Sequence, residues 1–393
     1  MSAQLRDTYS SFQNSPALLP SIWIVTFIYY GSSSLGTRRS SRITALRFLF
    51  VAFAITALSV PTIAIAGASK NDDNDKFNQR GNLLVTDQFN NRVVEISQES
   101  KSIVWSFGSG NPSLCNPGPG AIIGTNDAER LVDDLTVMVG TGIPAGASPD
   151  MLNGCVDNRV IVVDERGQIV WQYGQAGVTG SGPNELNVPV FVVQTPNHDF
   201  MIVDQGNNRV IEVNSAKEVV WSYGPTSGPG ALNNPNSAEL LQNGHILIAD
   251  ENNNRVIEIT RAGNIVWEYS QGLQFAAFAS RLPNGNTLIT DSGNARIIEV
   301  TRDGRIVFQY FTNTGPNSNA SPLPTNAVRL RNGDISIADQ FNHRVIIINQ
   351  EKEIEFQYGM TNVPGNGPDQ LNGPYTSYVI GDYTGQTPPP EED

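Results

Sequence analysis

Asp250-Glu251-Asn252-Asn253-Asn254-Arg255-Val256-Ile257-Glu258-Ile259 is followed closely by Gly263-Asn264-Ile265-Val266-Trp267-Glu268-Tyr269, and the pair recurs along the chain. Residues 87–96 read DQFNNRVVEI, with IVWSFG at 103–108; residues 204–213 read DQGNNRVIEV, with VVWSYG at 219–224. Residues 291–300 read DSGNARIIEV, with IVFQY at 306–310; residues 339–348 read DQFNHRVIII, with IEFQYG at 354–359. A degenerate sixth copy reads DNRVIVV at 157–163, then IVWQYG at 169–174. Arg92, Arg159, Arg209, Arg255, Arg296 and Arg344 mark the repeat, 41 to 50 residues apart except for one gap of 67. A period of that size belongs to a propeller, solenoid or array.

Each copy decodes into strands. Ile265, Trp267 and Tyr269 fall on one side of an extended segment, Val266 and Glu268 on the other, and residues 255–259 alternate in the same way. Period two with β-branched and aromatic residues argues strand. Upstream, residues 237–241 and 245–249 flank an Asn243-Gly244 turn, a strong hairpin signal. One repeat is therefore four short antiparallel strands, A to D from the inside out, which is a propeller blade. The fold class expected is all-β: a six-bladed β-propeller. The first copy begins at strand B, near Gly81-Asn82-Leu83, and residues 371–380 parallel the strand A segment 232–241 of a later copy. A strand over 374–380 is expected to pair beside 83–86, complete the first blade and remove the exposed sheet edges.

The repeated A-D-x-x-N-x-R-V-hydrophobic pattern, as in residues 249–257, resembles the NHL-repeat family of six-bladed propellers over residues 81 to about 383. The Val-Trp-x-Tyr strand is also similar to arylsulfotransferase-type and quinone-binding-type propeller repeats. The resemblance implies a shared blade with function in variable face loops. NHL-type propellers mostly serve as interaction platforms, and a few relatives are lyases or lactonases.

The ends read differently from the repeats. In residues 1–68, Arg38, Arg39, Arg42 and Arg47 precede an apolar run from Phe48 to Ile65, which leads into small residues at Ala64-Ile65-Ala66 and Ala66-Gly67-Ala68. This is a secretory signal peptide or a membrane anchor, and a start codon placed too far upstream would account for the residues before it. Either reading puts the propeller outside the cytoplasm: secreted, periplasmic, or anchored facing outward. Residues 69–80 form a polar linker whose acidic run lacks the Gly and Glu of a calcium loop. Residues 81–385 are the propeller, and the Pro-rich, charged residues 386–393 a disordered tail. The whole chain carries a net charge of −13, a surface that repels nucleic acid.

No G-x-S-x-G, H-E-x-x-H, P-loop or CxxC pattern is present. The three His divide between A–B turns (His198, His245) and a B–C turn (His343), on opposite faces, so no His cluster is expected. The reading is an interaction module rather than an enzyme, binding a protein, peptide or glycan, with no catalytic residues, no metal ligands and no cofactor assigned. The alternative is a lactonase-like hydrolase or lyase with a divalent metal in the central channel. Residues repeated in most blades are scaffold; those entering strand A differ between blades and are the candidates to line the channel mouth. They are Asn126, Asp127, Phe191, Asn236, Ser237, Phe275, Asn326 and Tyr375. The irregular gap places an insertion at about 141–154 in the B–C turn of the second blade, with Gly140 where other blades carry Asp. Cys155 ends this insertion, Cys115 lies in the D–A connection just before the same blade and on the same face, and the chain has no other Cys. In an exported chain they are expected to form a disulfide pinning a loop that the missing Asp leaves unanchored. The alternative is two free thiols.

Overall fold

The computed structural model describes residues 76–146, 153–383 and 385; the expectations for 1–68 and 386–393 lie outside them. Six four-stranded antiparallel sheets form the ring. Blade 1 comprises strands Leu83–Asp87, Arg92–Ile96 and Ile103–Gly108, with Pro374–Val379 as its innermost strand. Blade 2 runs Thr125–Arg130, Thr136–Gly140, Arg159–Val163 and Ile169–Tyr173. Blade 3 runs Pro189–Gln194, Phe200–Asp204, Arg209–Val213 and Val219–Tyr223; blade 4 runs Pro235–Leu240, Ile246–Asp250, Arg255–Ile259 and Ile265–Tyr269. Blade 5 runs Ala276–Arg281, Thr287–Asp291, Arg296–Val300 and Ile306–Phe311; blade 6 runs Asn326–Arg329, Ile335–Asp339, Arg344–Ile348 and Ile354–Tyr358. The closing strand pairs with blade 1 in the register Leu83↔Val379, Leu84↔Tyr378 and Val85↔Ser377, as expected from the repeats. Strands B and C are almost wholly buried, and apolar side chains fill the spaces between blades. Among the described residues no helix is long and apolar enough to cross a membrane.

The Asp-x-x-Asn-x-Arg motif builds both the turn and the seam between blades. In blade 4, Asp250 is fully buried. Its Oδ2 accepts from Asn253 Nδ2 (2.8 Å) and Arg255 Nε (2.8 Å), and its Oδ1 accepts from the backbone N–H of Asn233 (2.8 Å). The turn is one 3-10 segment ending at Asn254, at φ 52°, a left-handed position that Asn tolerates. The Asn254 side-chain oxygen then reaches forward and accepts the N–H of Phe275, in the segment leading into blade 5 (2.8 Å). Asn91, Asn158 and Asn208 accept from Gly124, Val188 and Asn234 in the same way. In blade 6, His343 Nδ1 takes this role, accepting from Gly373 (3.1 Å), and burial lowers its pKa to about 4, so the ring is held neutral. Further out, the Trp105, Trp171, Trp221 and Trp267 indoles donate to backbone carbonyls of the next blade at 2.9–3.1 Å. Buried ion pairs join Glu95 to Arg130, Glu258 to Arg281 and Glu299 to Arg329 across three seams.

Two seams depart from this rule. In blade 2 the missing strand B aspartate is replaced from within the turn. Asp157 is fully buried, pairs with Arg159 and accepts the N–H of Ile123 (2.8 Å). Gly140 makes room for it, since a Cβ there would lie 2.3 Å from Asp157 Oδ2. The insertion is therefore anchored, contrary to the sequence expectation, by a carboxylate moved to the other stem of the turn. It is also held by the Ile143–Cys155 bridge and by the Cys115–Cys155 disulfide, whose Cα atoms are 5.3 Å apart. Between blades 5 and 6, Pro322 stands where Asn233 stands in blade 4. Its carbonyl accepts from Phe341 (2.8 Å), as that of Asn233 accepts from Asn252, but it has no N–H to offer. Asp339 Oδ1 is left buried without a hydrogen bond, and burial raises the Asp339 pKa to about 6. Ala295 replaces the bridging Asn on the same seam, at φ 53°.

Two outcomes follow from the seams. Deleting residues 374–393 strips strand B of blade 1 of its inner partner and should lower stability by several kcal/mol. A urea-unfolding midpoint equal to that of the full chain would refute closure by this strand. Ala295→Asn should raise stability by about 1 kcal/mol, because Asn suits the left-handed position and supplies an acceptor for the Leu323 N–H. Unfolding free energies of the two proteins, with unchanged m-values, check it.

Candidate functional site

The start of strand A and the B–C turn of every blade meet at one end of the ring axis. The residue after each turn aspartate projects there: Gln88, Gln205, Glu251, Ser292 and Gln340, with Thr141 at the corresponding place in blade 2. The second residue of strand A joins them from Asn126, Asn236 and Tyr375. A hydrogen-bonded chain runs through these side chains. Gln340 Nε2 donates to Gln88 Oε1 (2.7 Å), and Gln88 Nε2 donates to Asn126 Oδ1 (2.7 Å). Tyr375 Oη accepts from Asn236 Nδ2 (2.8 Å) and lies 3.1 Å from Asn236 Oδ1. Blades 1 and 4 are opposite in a ring of six, so the Tyr375–Asn236 pair spans the axis. The chain ends at Glu251, whose Oε2 accepts from Asn236 Nδ2 (2.9 Å) and Gln205 Nε2 (3.2 Å).

Glu251 is the one charged member of this ring. Burial raises its carboxyl pKa to about 7, and the amide donors offset that only in part. No cationic partner opposes the burial. On the rim, Phe89 and Phe341 stack with centroids 6.1 Å apart.

Below this floor the axis is filled. Phe191 of blade 3 meets Phe278 of blade 5 at 6.0 Å between ring centroids, and Val193, Val328 and Tyr378 belong to the same cluster. Asp127 sits at this level, accepting from the Val192 N–H (3.0 Å) and the Tyr378 hydroxyl (3.2 Å). Burial pushes the Asp127 carboxyl well above the usual range, and burial with Asp127 alongside does the same to Glu129. Among the described residues, no group of three or more His, Cys, Asp or Glu side chains is placed to hold a metal ion.

The structure thus divides the eight residues singled out from the sequence. Asn126, Asn236 and Tyr375 meet at the mouth. Asp127, Ser237 and Asn326 lie one residue deeper and bind the next blade: they accept the N–H groups of Val192, Ala279 and Ser377. Phe191 plugs the axis, and Phe275 lies exposed in the segment before strand A. Gln88, Gln205, Glu251 and Gln340 were masked in the sequence by their place inside the repeated turn. Their signal is that the position after the Asp varies between Gln, Glu and Ser while its neighbours repeat.

The fold and this mouth define a closed six-bladed propeller with a polar, acid-bearing surface at one end of its axis. The family model described as outer membrane protein assembly factor BamB matches residues 156–363, and the chain belongs to that family. A search of curated proteins finds no match. Among solved structures, a protein of unknown function from Bacteroides caccae is 14% identical, with a TM-score of 0.52 over 72% of this chain and 97% of that one. It shares the fold. Virginiamycin B lyase from Staphylococcus aureus is 15% identical, with a TM-score of 0.45 over 72% of this chain and 86% of that one.

Glu251 also has a stability signature. Its folded-state pKa lies above the ordinary 4.5, so the neutral form favours folding. That contribution is full below pH 4.5 and is lost as pH rises through about 7. Glu251→Gln, which installs the side chain found in blades 1, 3 and 6, should leave stability unchanged at pH 4. It should raise stability by about 1–3 kcal/mol at pH 8. Denaturant unfolding at the two pH values measures this, and an equal effect at both would contradict the assignment.

Proposed function

We propose that the protein is an extracytoplasmic interaction module of the NHL-like propeller type, and that the mouth around Glu251 and Tyr375 is its binding surface. The carrying observation is Glu251. A half-buried carboxyl without a cationic partner destabilises the fold at neutral pH, yet it stands where three other blades carry the neutral isostere. Stability alone favours Gln there, and a perturbed acid within a polar cluster at one end of the axis is a mark of binding or chemistry. The disulfide agrees with an oxidising compartment, and the basic and apolar pattern of residues 1–68 with export or membrane anchoring. On this reading residues 69–80 link that segment to the propeller, residues 386–393 form a tail, and the partner is a protein, peptide or glycan. Glu251, Tyr375, Asn236, Asn126 and Gln205 would contact the partner, while the turn Asp and Arg residues hold the frame.

The test is an NMR screen of short peptides, monosaccharides and small organic ions against the isotope-labelled propeller. Hits should perturb the side-chain signals of Gln88, Gln205 and Asn236, and Tyr375→Phe combined with Asn236→Ala should weaken them at least tenfold. Hits confined to the His198 and His245 face would overturn the proposal.

A further inference from the structure

We infer that the group recognised at the mouth is a primary ammonium, carried on a lysine side chain or a free aliphatic amine. The inference rests on the mouth being the binding surface. It is drawn from the polarity of the hydrogen-bond chain, the position of its single charge and the absence of a counterion.

A carboxylate only accepts hydrogen bonds, so Glu251 fixes the direction of the amides beside it. Gln205 must turn its N–H₂ toward Glu251 Oε2, which leaves Gln205 Oε1 facing away. Asn236 spends its amide nitrogen on Glu251 and on Tyr375 Oη, and its oxygen lies against the same hydroxyl. Gln340 likewise donates to Gln88 and keeps its own oxygen free. Three amide or carboxylate oxygens of this network accept none of its bonds: Glu251 Oε1, Gln205 Oε1 and Gln340 Oε1. Such a floor is complementary to a group with several N–H donors and a positive charge, and an ammonium offers three.

The charge argues the same way. Arg92, Arg209, Arg255, Arg296 and Arg344 are committed to the turn aspartates. No basic side chain contributes to the Glu251 pKa; what surrounds it is Asn236, Gln205 and the Tyr375 hydroxyl. A cation entering from solvent would therefore supply the counter-charge that the fold omits. An anionic ligand would instead meet this carboxylate and a chain whose net charge is −13. The rings of Phe89 and Phe341, stacked on each other on the rim, offer apolar surface to an aliphatic stem.

The experiment titrates the labelled propeller at pH 8 with the capped tripeptide acetyl-Gly-Lys-Gly-amide, its Nε-acetyllysine counterpart, and 1,4-diaminobutane. The lysine peptide or the diamine should shift the side-chain amide signals of Gln205 and Asn236. Acetylation of the lysine, or Glu251→Gln, should weaken binding at least tenfold. Binding of the diamine but not the peptide would assign the site to free amines, and the converse to a lysine-bearing chain. The Gln variant reproduces the side chain of blades 1, 3 and 6, and its melting curve confirms that any loss is not unfolding. Equal binding of the acetylated peptide, or binding indifferent to Glu251→Gln, overturns the inference. So does a mouth that takes other small molecules but neither amine, a result that leaves the binding-surface reading intact. A mouth that takes nothing at all overturns both.

Discussion

Every blade of this ring hangs on one buried carboxylate. The aspartate at the stem of the B–C turn is removed from water, which is costly for a charge unless donors replace the solvent. Three do in blades 1, 3, 4 and 5: an arginine, the amide of an asparagine, and the backbone N–H of the segment arriving from the previous blade. The first two fold the turn onto itself, and the third ties it to the incoming chain. The left-handed residue that ends the turn then reaches the following blade. A turn that a hairpin could close with two residues is instead a joint among three segments. This is why so polar a motif recurs in the best-buried part of the fold.

The exceptions show which part of the joint is essential. In blade 2 the carboxylate comes from Asp157 rather than from the end of strand B, and Gly140 is the vacancy that admits it. The arginine and the incoming backbone N–H stay as donors while the acceptor moves, so the constraint lies on the position of the charge rather than on the residue number that carries it. In blade 6 the carboxylate stays and a donor is lost, because Pro322 has no N–H. The seam tolerates this as one weak link in a closed ring, since closure holds each blade from both sides. His343 shows the same economy of chemistry: a neutral imidazole presents an acceptor nitrogen where an amide presents an oxygen.

The repeat made the frame legible. Period-two alternation gave the strands, the Asn-Gly turn gave the hairpin, and the missing first strand A with an extra last one gave closure, because these features depend on local backbone chemistry and on counting. The cysteine pair was legible because the insertion and the segment before it belong to one face. The candidate site was legible only in part. Asn126, Asn236 and Tyr375 stand out by breaking the repeat at the entry to strand A. Asp127, Ser237 and Asn326 break it too, yet their side chains point at the neighbouring blade, and a strand's alternation separates them from the mouth by a single residue. Conversely, Gln88, Gln205 and Glu251 lie within a motif whose other positions are scaffold. Which side chains of a turn face the axis depends on the 3-10 geometry of that turn, which periodicity does not encode. The contact between Tyr375 and Asn236 spans 139 positions and half the ring, and no local pattern announces it.

The ring then gives its own internal control for what is functional. Six blades place six side chains at the same point of the same turn, so each position is compared with five others under nearly the same backbone constraint. Where the chemistry is frame, the copies agree, or they differ by substitutions that keep the interaction, as Asp157 and His343 do. Where they disagree without such compensation, stability is not what set the choice. Glu251 is the clearest case: the neighbouring amides would be as well satisfied by Gln, the charge has no internal partner, and its burial is unfavourable at neutral pH. The mouth is also a place where side chains from distant blades meet across the axis, as Tyr375 and Asn236 do. A residue there can act with partners far away in sequence at no cost to the frame, and variation in function can collect at that end of the axis while the joints beneath it stay fixed.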